Sequence, residues 1–244
     1  MPLVGSLALR LPLYVFPRPF AHVADLSGDD TFVYELGGAA MLGYVVALAL
    51  GSRGADWREI RFVAFAVYAF ELVAFLAGFA SFLSGQVLGL AIVVSLWAVF
   101  TSWAFAQILL GRRGTAVGPP DVATWTIAIL ILATISAAVF GLGPQLPQAF
   151  AAIFGYRGTD EYVYRLAGAA CFGYAIMGIA ELRSRAWGDM RLPNIAALVF
   201  NALAFLASMS EILAGRTTLL AALVALAAGA FTLAFVLVLV RRGR

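Results

Sequence analysis

YELGGAAMLGY, at Tyr34–Tyr44, is written again as YRLAGAACFGY at Tyr164–Tyr174. The shift of 130 residues between them holds well beyond the phrase. It sets Asp30 on Asp160, Arg53 on Arg183, Trp57 on Trp187, Arg61 on Arg191 and Phe75-Leu76-Ala77 on Phe205-Leu206-Ala207 without a gap. About a third of positions 30–114 carry the same residue in the partner stretch. A shared apolar bias raises identity, but it does not place the same Trp and Arg in the same polar loop. The pattern predicts a tandem repeat. It runs backwards too, since Pro17, Phe20, Ala21 and Gly28 meet Pro147, Phe150, Ala151 and Gly158.

The medium around these phrases follows from composition. The chain of 244 residues is 63% hydrophobic and 12% charged, with a mean hydropathy of +0.96. Soluble domains carry about 25% charged residues. Apolar runs recur at about 33–50, 62–83, 87–110, 122–142, 162–180, 194–213 and 217–240. Each approaches or exceeds the length that crosses a ~30 Å hydrocarbon core as a helix. The prediction is an all-α, polytopic membrane helix bundle with seven transmembrane spans. Periodicity within the runs is weak, as expected where one helix face meets lipid and the other meets equally apolar helices.

Arginine decides the expected orientation. All 16 basic residues are Arg, and Arg53, Arg58, Arg61, Arg112, Arg113, Arg183, Arg185, Arg191, Arg241, Arg242 and Arg244 fall on one side if the spans alternate. The other side holds Arg10, Arg18, Arg157, Arg165 and Arg216. The positive-inside rule then puts the N-terminus outside and the C-terminus in the cytoplasm of a multi-pass inner-membrane protein. The repeat unit is a span, a Pro-containing outer loop and three more spans. Residues 115–244 make a complete unit, and 1–114 make one with an outer N-terminal segment and three spans, its first helix missing or reduced. Units with an even number of spans repeat in parallel about an axis along the membrane normal.

A span followed by Pro147, Phe150, Phe154, Gly155 and Gly158, then YRLAGAACFGY with Arg165, Gly168 and Gly173, then a basic loop with Trp187 and Arg191, resembles the DoxX-like group of small four-helix membrane proteins. The resemblance covers about 122–240 best. It covers 14–110 less well, because Glu35 stands where the pattern has Arg. It implies a fused pair of four-helix units, and some members of that group are associated with quinone-linked membrane oxidoreductase systems.

Several polar residues interrupt the apolar background. Glu71 lies mid-span, where a charged carboxylate is costly, and its partner position is Asn201. The two are candidates for a midplane ligand site, with Tyr44, Tyr174 and Gln107 as further candidate contacts; the plainer reading is interhelical hydrogen bonding. Glu35 and Arg165 occupy equivalent positions, so near a symmetry axis they would form an ion pair between the repeats, unless each reaches outward to the headgroups. Ala39/Gly43 and Ala169/Gly173 give the four-residue small spacing that lets helices approach closely. Trp57, Arg61, Trp187 and Arg191 read as interfacial anchors or a lipid-headgroup site.

Other classes are excluded by what is missing. Without Lys no retinal Schiff base forms, so this is not a retinal protein. With His22 and Cys171 as the single His and Cys, bis-His haem and a His/Cys metal site lack ligands. No residue set points to metal binding, to nucleic acid or to a catalytic centre, and an enzyme is the least supported class. The expectation is a membrane-embedded accessory or structural subunit of a larger membrane complex, in contact with lipids and other membrane-protein subunits and holding a lipid or quinone between its two halves. The alternative is a transporter of a small solute or hydrophobic ligand with its polar site at Glu71/Asn201.

Overall fold

The computed structural model describes residues 11–53, 56–84, 89–111 and 120–242. The expected unit boundary at 114/115, Arg10, Arg112, Arg113 and Arg244 lie outside the described residues. Among those residues all regular structure is helical. Seven helices are long and apolar enough to cross a membrane: α2 (Thr31–Gly51), α3 (Trp57–Leu83), α4 (Gly89–Gly111), α5 (Thr124–Leu142), α7 (Glu161–Ser184), α8 (Trp187–Leu213) and α9 (Leu219–Arg242). This is the fold of a multi-pass membrane protein. Two short helices, α1 (Pro17–Val23) and α6 (Pro147–Phe154), precede α2 and α7. Each starts on a Pro, whose missing N–H costs nothing in a first turn.

The helices are longer than the apolar runs at one end of the molecule. α3 and α8 begin at Trp57 and Trp187, inside what hydropathy reads as polar loop. Their charged first turns are accommodated because they pair with each other. Arg61 reaches Asp189 at 2.6 Å, and Arg191 reaches Glu59 at 3.3 Å. Pro193 therefore lies inside α8. It removes one ladder hydrogen bond there.

Chain neighbours are not the closest neighbours in space. α2 packs chiefly on α8, and α3 chiefly on α7, both antiparallel. α2 also runs beside α7, and α3 beside α8, so the central four helices form a ring in which the consecutive pairs α2/α3 and α7/α8 sit on the diagonals. The two halves of the sequence are interleaved. α4 lies outside on α3, α5 on α7 and α9 on α8.

Contacts across this ring come in pairs related by 130 positions. Tyr44 donates to the Ala170 carbonyl (2.8 Å) and Tyr174 to the Ala40 carbonyl (2.9 Å), with the two rings stacked 4.4 Å apart. Gly43 and Gly173 make the room. A Cβ on Gly43 would stand 2.1 Å from the Tyr174 hydroxyl and 2.5 Å from the Ala196 carbonyl, and one on Gly173 2.5 Å from Tyr44 and 2.6 Å from the Ala66 carbonyl. The small-residue spacing thus serves helix packing. At the end marked by Asp30 and Asp160, the aspartate end, Asp160 accepts from Tyr34 and from the amides of Ser27 and Gly28. Asp30 accepts from Tyr164 and from the amides of Arg157 and Gly158. Gly28 and Gly158 both hold positive φ (67° and 70°), which presents those amides inward.

Candidate functional site

The wall of a long cavity is built by stripes on α5, α7, α8 and α9. On α7 the stripe is Ala167, Cys171, Tyr174, Gly178 and Glu181, the one-sided spacing of a helix face. From Ala167 to Glu181 it rises roughly 21 Å, at about 1.5 Å per residue. The cavity runs from Pro144 and Leu220 near the aspartate end to Glu181 and Phe235 near the opposite, arginine-rich end. Val33 and Leu36 of α2 complete its wall. The cavity has a volume of about 100 Å³. Its surface is overwhelmingly carbon, the character of sites for apolar ligands.

Glu181 is the ionisable carboxyl in this wall, and it is 3% exposed. Asn194 of α8 donates one amide hydrogen to Glu181 at 3.0 Å and the other to the Met190 carbonyl at 2.6 Å. The Asn194 Oδ1 is buried without a hydrogen-bond partner. One turn along α7, Gly178 leaves room for Thr134 of α5, whose hydroxyl would lie 2.1 Å from a Cβ at that position. Thr134 itself donates to the Leu130 carbonyl at 2.6 Å. Hydropathy alone ends this span at 180, because the Arg-bearing ELRSR that follows has the composition of a loop. The helix runs on to Ser184 and carries the carboxyl inside.

The residues singled out from sequence are distributed differently. Tyr174 and Asn201 line the cavity, Tyr174 stacking on Phe200 at 4.9 Å and Asn201 donating to the Ala197 carbonyl of its own helix at 2.7 Å. Glu71 is buried on α3 outside that wall, within electrostatic reach of Tyr162. Tyr44 sits behind Tyr174 in the ring, and Gln107 is exposed on α4. Glu71 therefore lies outside the cavity that Asn201 lines. The cavity also lies mainly within the second half of the sequence, where a place between the halves was expected.

Glu35 and Arg165 are not paired with each other. Arg165 reaches Glu161 one turn back at 2.8 Å, while Glu35 faces Glu211 and Arg216. The reason is rotation. α2 and α7 meet at equivalent residues, Gly37 against Ala167 and Tyr44 against Tyr174. Positions 35 and 165 stand two residues earlier, about 200° round each helix from that contact. Beside them Arg216 grips Glu211 through two nitrogens at 2.7 and 3.0 Å, which raises the Arg216 pKa. In the same region Tyr156 bonds Thr218 at 2.8 Å, and burial pushes its hydroxyl up to about 12.

At the arginine-rich end the anchors divide. Arg61 is buried against Asp189, whereas Arg191 is largely exposed. Asp189 also takes Arg58 at 3.1 Å and the Ser184 hydroxyl, and Trp187 donates its amide to Asp121 at 2.8 Å. Trp57 opens α3 at the corresponding place. Arg61 is thus a strut between the halves rather than a group free for headgroups. The acid–arginine spacing at 59/61 and 189/191 was the signal for it. Comparison of the chain with protein-family models, with curated proteins and with solved structures gives no match.

Proposed function

We propose that this chain is a membrane protein that holds one apolar, chain-bearing ligand, a lipid or quinone, in the cavity enclosed by α5, α7, α8 and α9. The cavity with its buried Glu181 carries this reading: a long, mostly carbon-lined space with one ionisable group among the described residues fits a molecule that is mostly tail. We further read the two halves as copies of one ancestral unit of the DoxX-like kind, set in an inner membrane with the C-terminus cytoplasmic. The paired bonds at Tyr34/Tyr164, Tyr44/Tyr174 and Arg61/Arg191 support the first point. The excess of Arg at the end carrying Arg53, Arg58, Arg183 and Arg185 supports the orientation. The test is to purify the protein from its native membrane in mild detergent and extract what comes with it. A near-stoichiometric apolar molecule is expected, lost on Ala228→Phe, which puts a ring where the cavity wall has a methyl group. Only bulk lipid in membrane proportions would refute the reading.

A second reading, an accessory subunit of a larger membrane complex, is favoured by α4. Among the described residues that helix packs chiefly on α3 and is mostly exposed, leaving Phe100 and Trp103 exposed beside one another on its surface. Mass measurement of the same preparation tests it. Reproducible partner chains support the subunit, and a lone chain or a homo-oligomer removes that role.

A further inference from the structure

Resting on the ligand-holding reading, we propose that the occupant is a single-chain amphiphile whose head is an uncharged hydroxyl or carbonyl, seated against Glu181 with its tail toward the aspartate end. The chemistry of the wall decides the head. Among the described residues no Arg lines the cavity, so a phosphate or carboxylate head would meet a carboxyl group, a few uncharged polar side chains (Thr134, Ser136, Tyr174, Asn201) and carbon. Buried charges need opposite charges and hydrogen bonds to replace water, and this wall offers an anion no opposite charge and no cluster of donors. An ammonium brings three donors that all need acceptors. Beside Glu181 it would bury two charges at once, and their desolvation is repaid only where further acceptors satisfy the remaining protons. Beyond Glu181 the wall holds only the scattered uncharged groups of Thr134, Ser136, Tyr174 and Asn201 among apolar side chains. A hydroxyl or carbonyl needs only the one or two hydrogen bonds a carboxyl group can make.

The shape of the space decides the tail. The stripe on α7 faces stripes on α5 and α9 across a channel as long as an extended acyl or isoprenoid chain. Access is from the side. α5 and α9 lean on α7 and α8 but touch each other at few points, with Arg241 over the Trp125 ring (5.2 Å) closing the arginine-rich end. The seam between them faces the bilayer, where such a molecule already resides.

The experiment uses the full chain in phosphatidylcholine nanodiscs with three photoactivatable probes. They share one long diazirine-bearing tail and end in an alcohol, an amine or a carboxylic acid, and cross-links are mapped by mass spectrometry. The alcohol is expected to label the cavity wall on α7 and α9 saturably, about tenfold more than the other two, a difference of about 1.4 kcal/mol. Glu181→Gln, which keeps the shape and a hydrogen-bonding group, should retain this labelling, and Glu181→Leu should lose about tenfold. If the amine or the acid labels the wall best, the assigned head is wrong while the cavity remains a ligand site. If every probe labels only outward residues such as Leu132 and Val139, the ligand-holding reading itself fails. The probe series needs no variant, so a Glu181 substitution that misfolds leaves the result readable.

Discussion

The ion pairs Arg61–Asp189 and Arg191–Glu59 join the same two helices at positions 130 apart, yet they are unequal. Asp189 is fully buried and collects Arg61, Arg58 and the Ser184 hydroxyl. Among the described residues Glu59 receives Arg191 alone, and that Arg side chain is 59% exposed. Gly188 stands where the other half has Arg58, so the second pair lacks the reinforcing cation. Matching positions preserve the geometry of a contact, while burial and neighbours set what the contact is worth. The same divergence shapes the cavity. Glu181 and Gly178, which form its polar station, correspond to Gly51 and Leu48. One half carries a carboxyl and a gap where the other carries neither.

The sharpest way to break this comparison is to remove the two acids separately. Asp189→Asn leaves buried Arg61 facing an amide, and losing one partner of a buried pair costs about 3–5 kcal/mol. Glu59→Gln should cost about 1 kcal/mol or less, because an exposed pair is screened by water. Thermal unfolding of both variants in one detergent checks this. Equal losses would mean that burial does not distinguish the pairs.

The aspartate end should behave in the opposite way, with near-equal effects. Tyr34→Phe and Tyr164→Phe each delete a hydroxyl that donates to a buried carboxylate, and such bonds contribute about 1.5–3 kcal/mol. Asp160 keeps Ser27 through both its amide and its hydroxyl, so Tyr34→Phe should be the milder of the two. Asp30 keeps only the amides of Arg157 and Gly158. The same unfolding assay reads the order, and a larger loss at Tyr34 would overturn it.

Hydropathy made the seven helices legible, because only a long apolar run crosses a bilayer. It lost the first turns of α3 and α8, where Trp57 and Trp187 open helices whose charges are paired with a neighbour rather than with water. The small residues around Gly43 and Gly173 pointed to close approach, but not to which helix approaches. A linear pattern carries no information on whether α2 meets α3 or α8. Glu35 and Arg165 show the same limit, for opposite charges at equivalent positions pair only if the helices present those faces. Of the cavity, Tyr174 and Asn201 were visible as polar residues in apolar spans. Glu181 was not, since four residues of Arg-containing sequence beyond it disguised a helix end as a loop.

At the centre of the ring the expected effects are smallest. Tyr44→Phe and Tyr174→Phe keep the stacked rings and the packing against Gly173 and Gly43, and remove a hydroxyl donating to a carbonyl of the facing helix. Bonds of this kind inside membranes average about 0.6 kcal/mol, with a maximum near 1.7. Tyr174 also lies within 3.3 Å of the Ala196 carbonyl and faces the cavity, so its loss should be the larger. The rings touch, so the double variant should depart from the sum of the single ones, as contacting residues do by about 0.5 kcal/mol or more. Strict additivity would mean that the two bonds report on separate helix contacts, and that the centre of the ring couples the halves only through packed carbon.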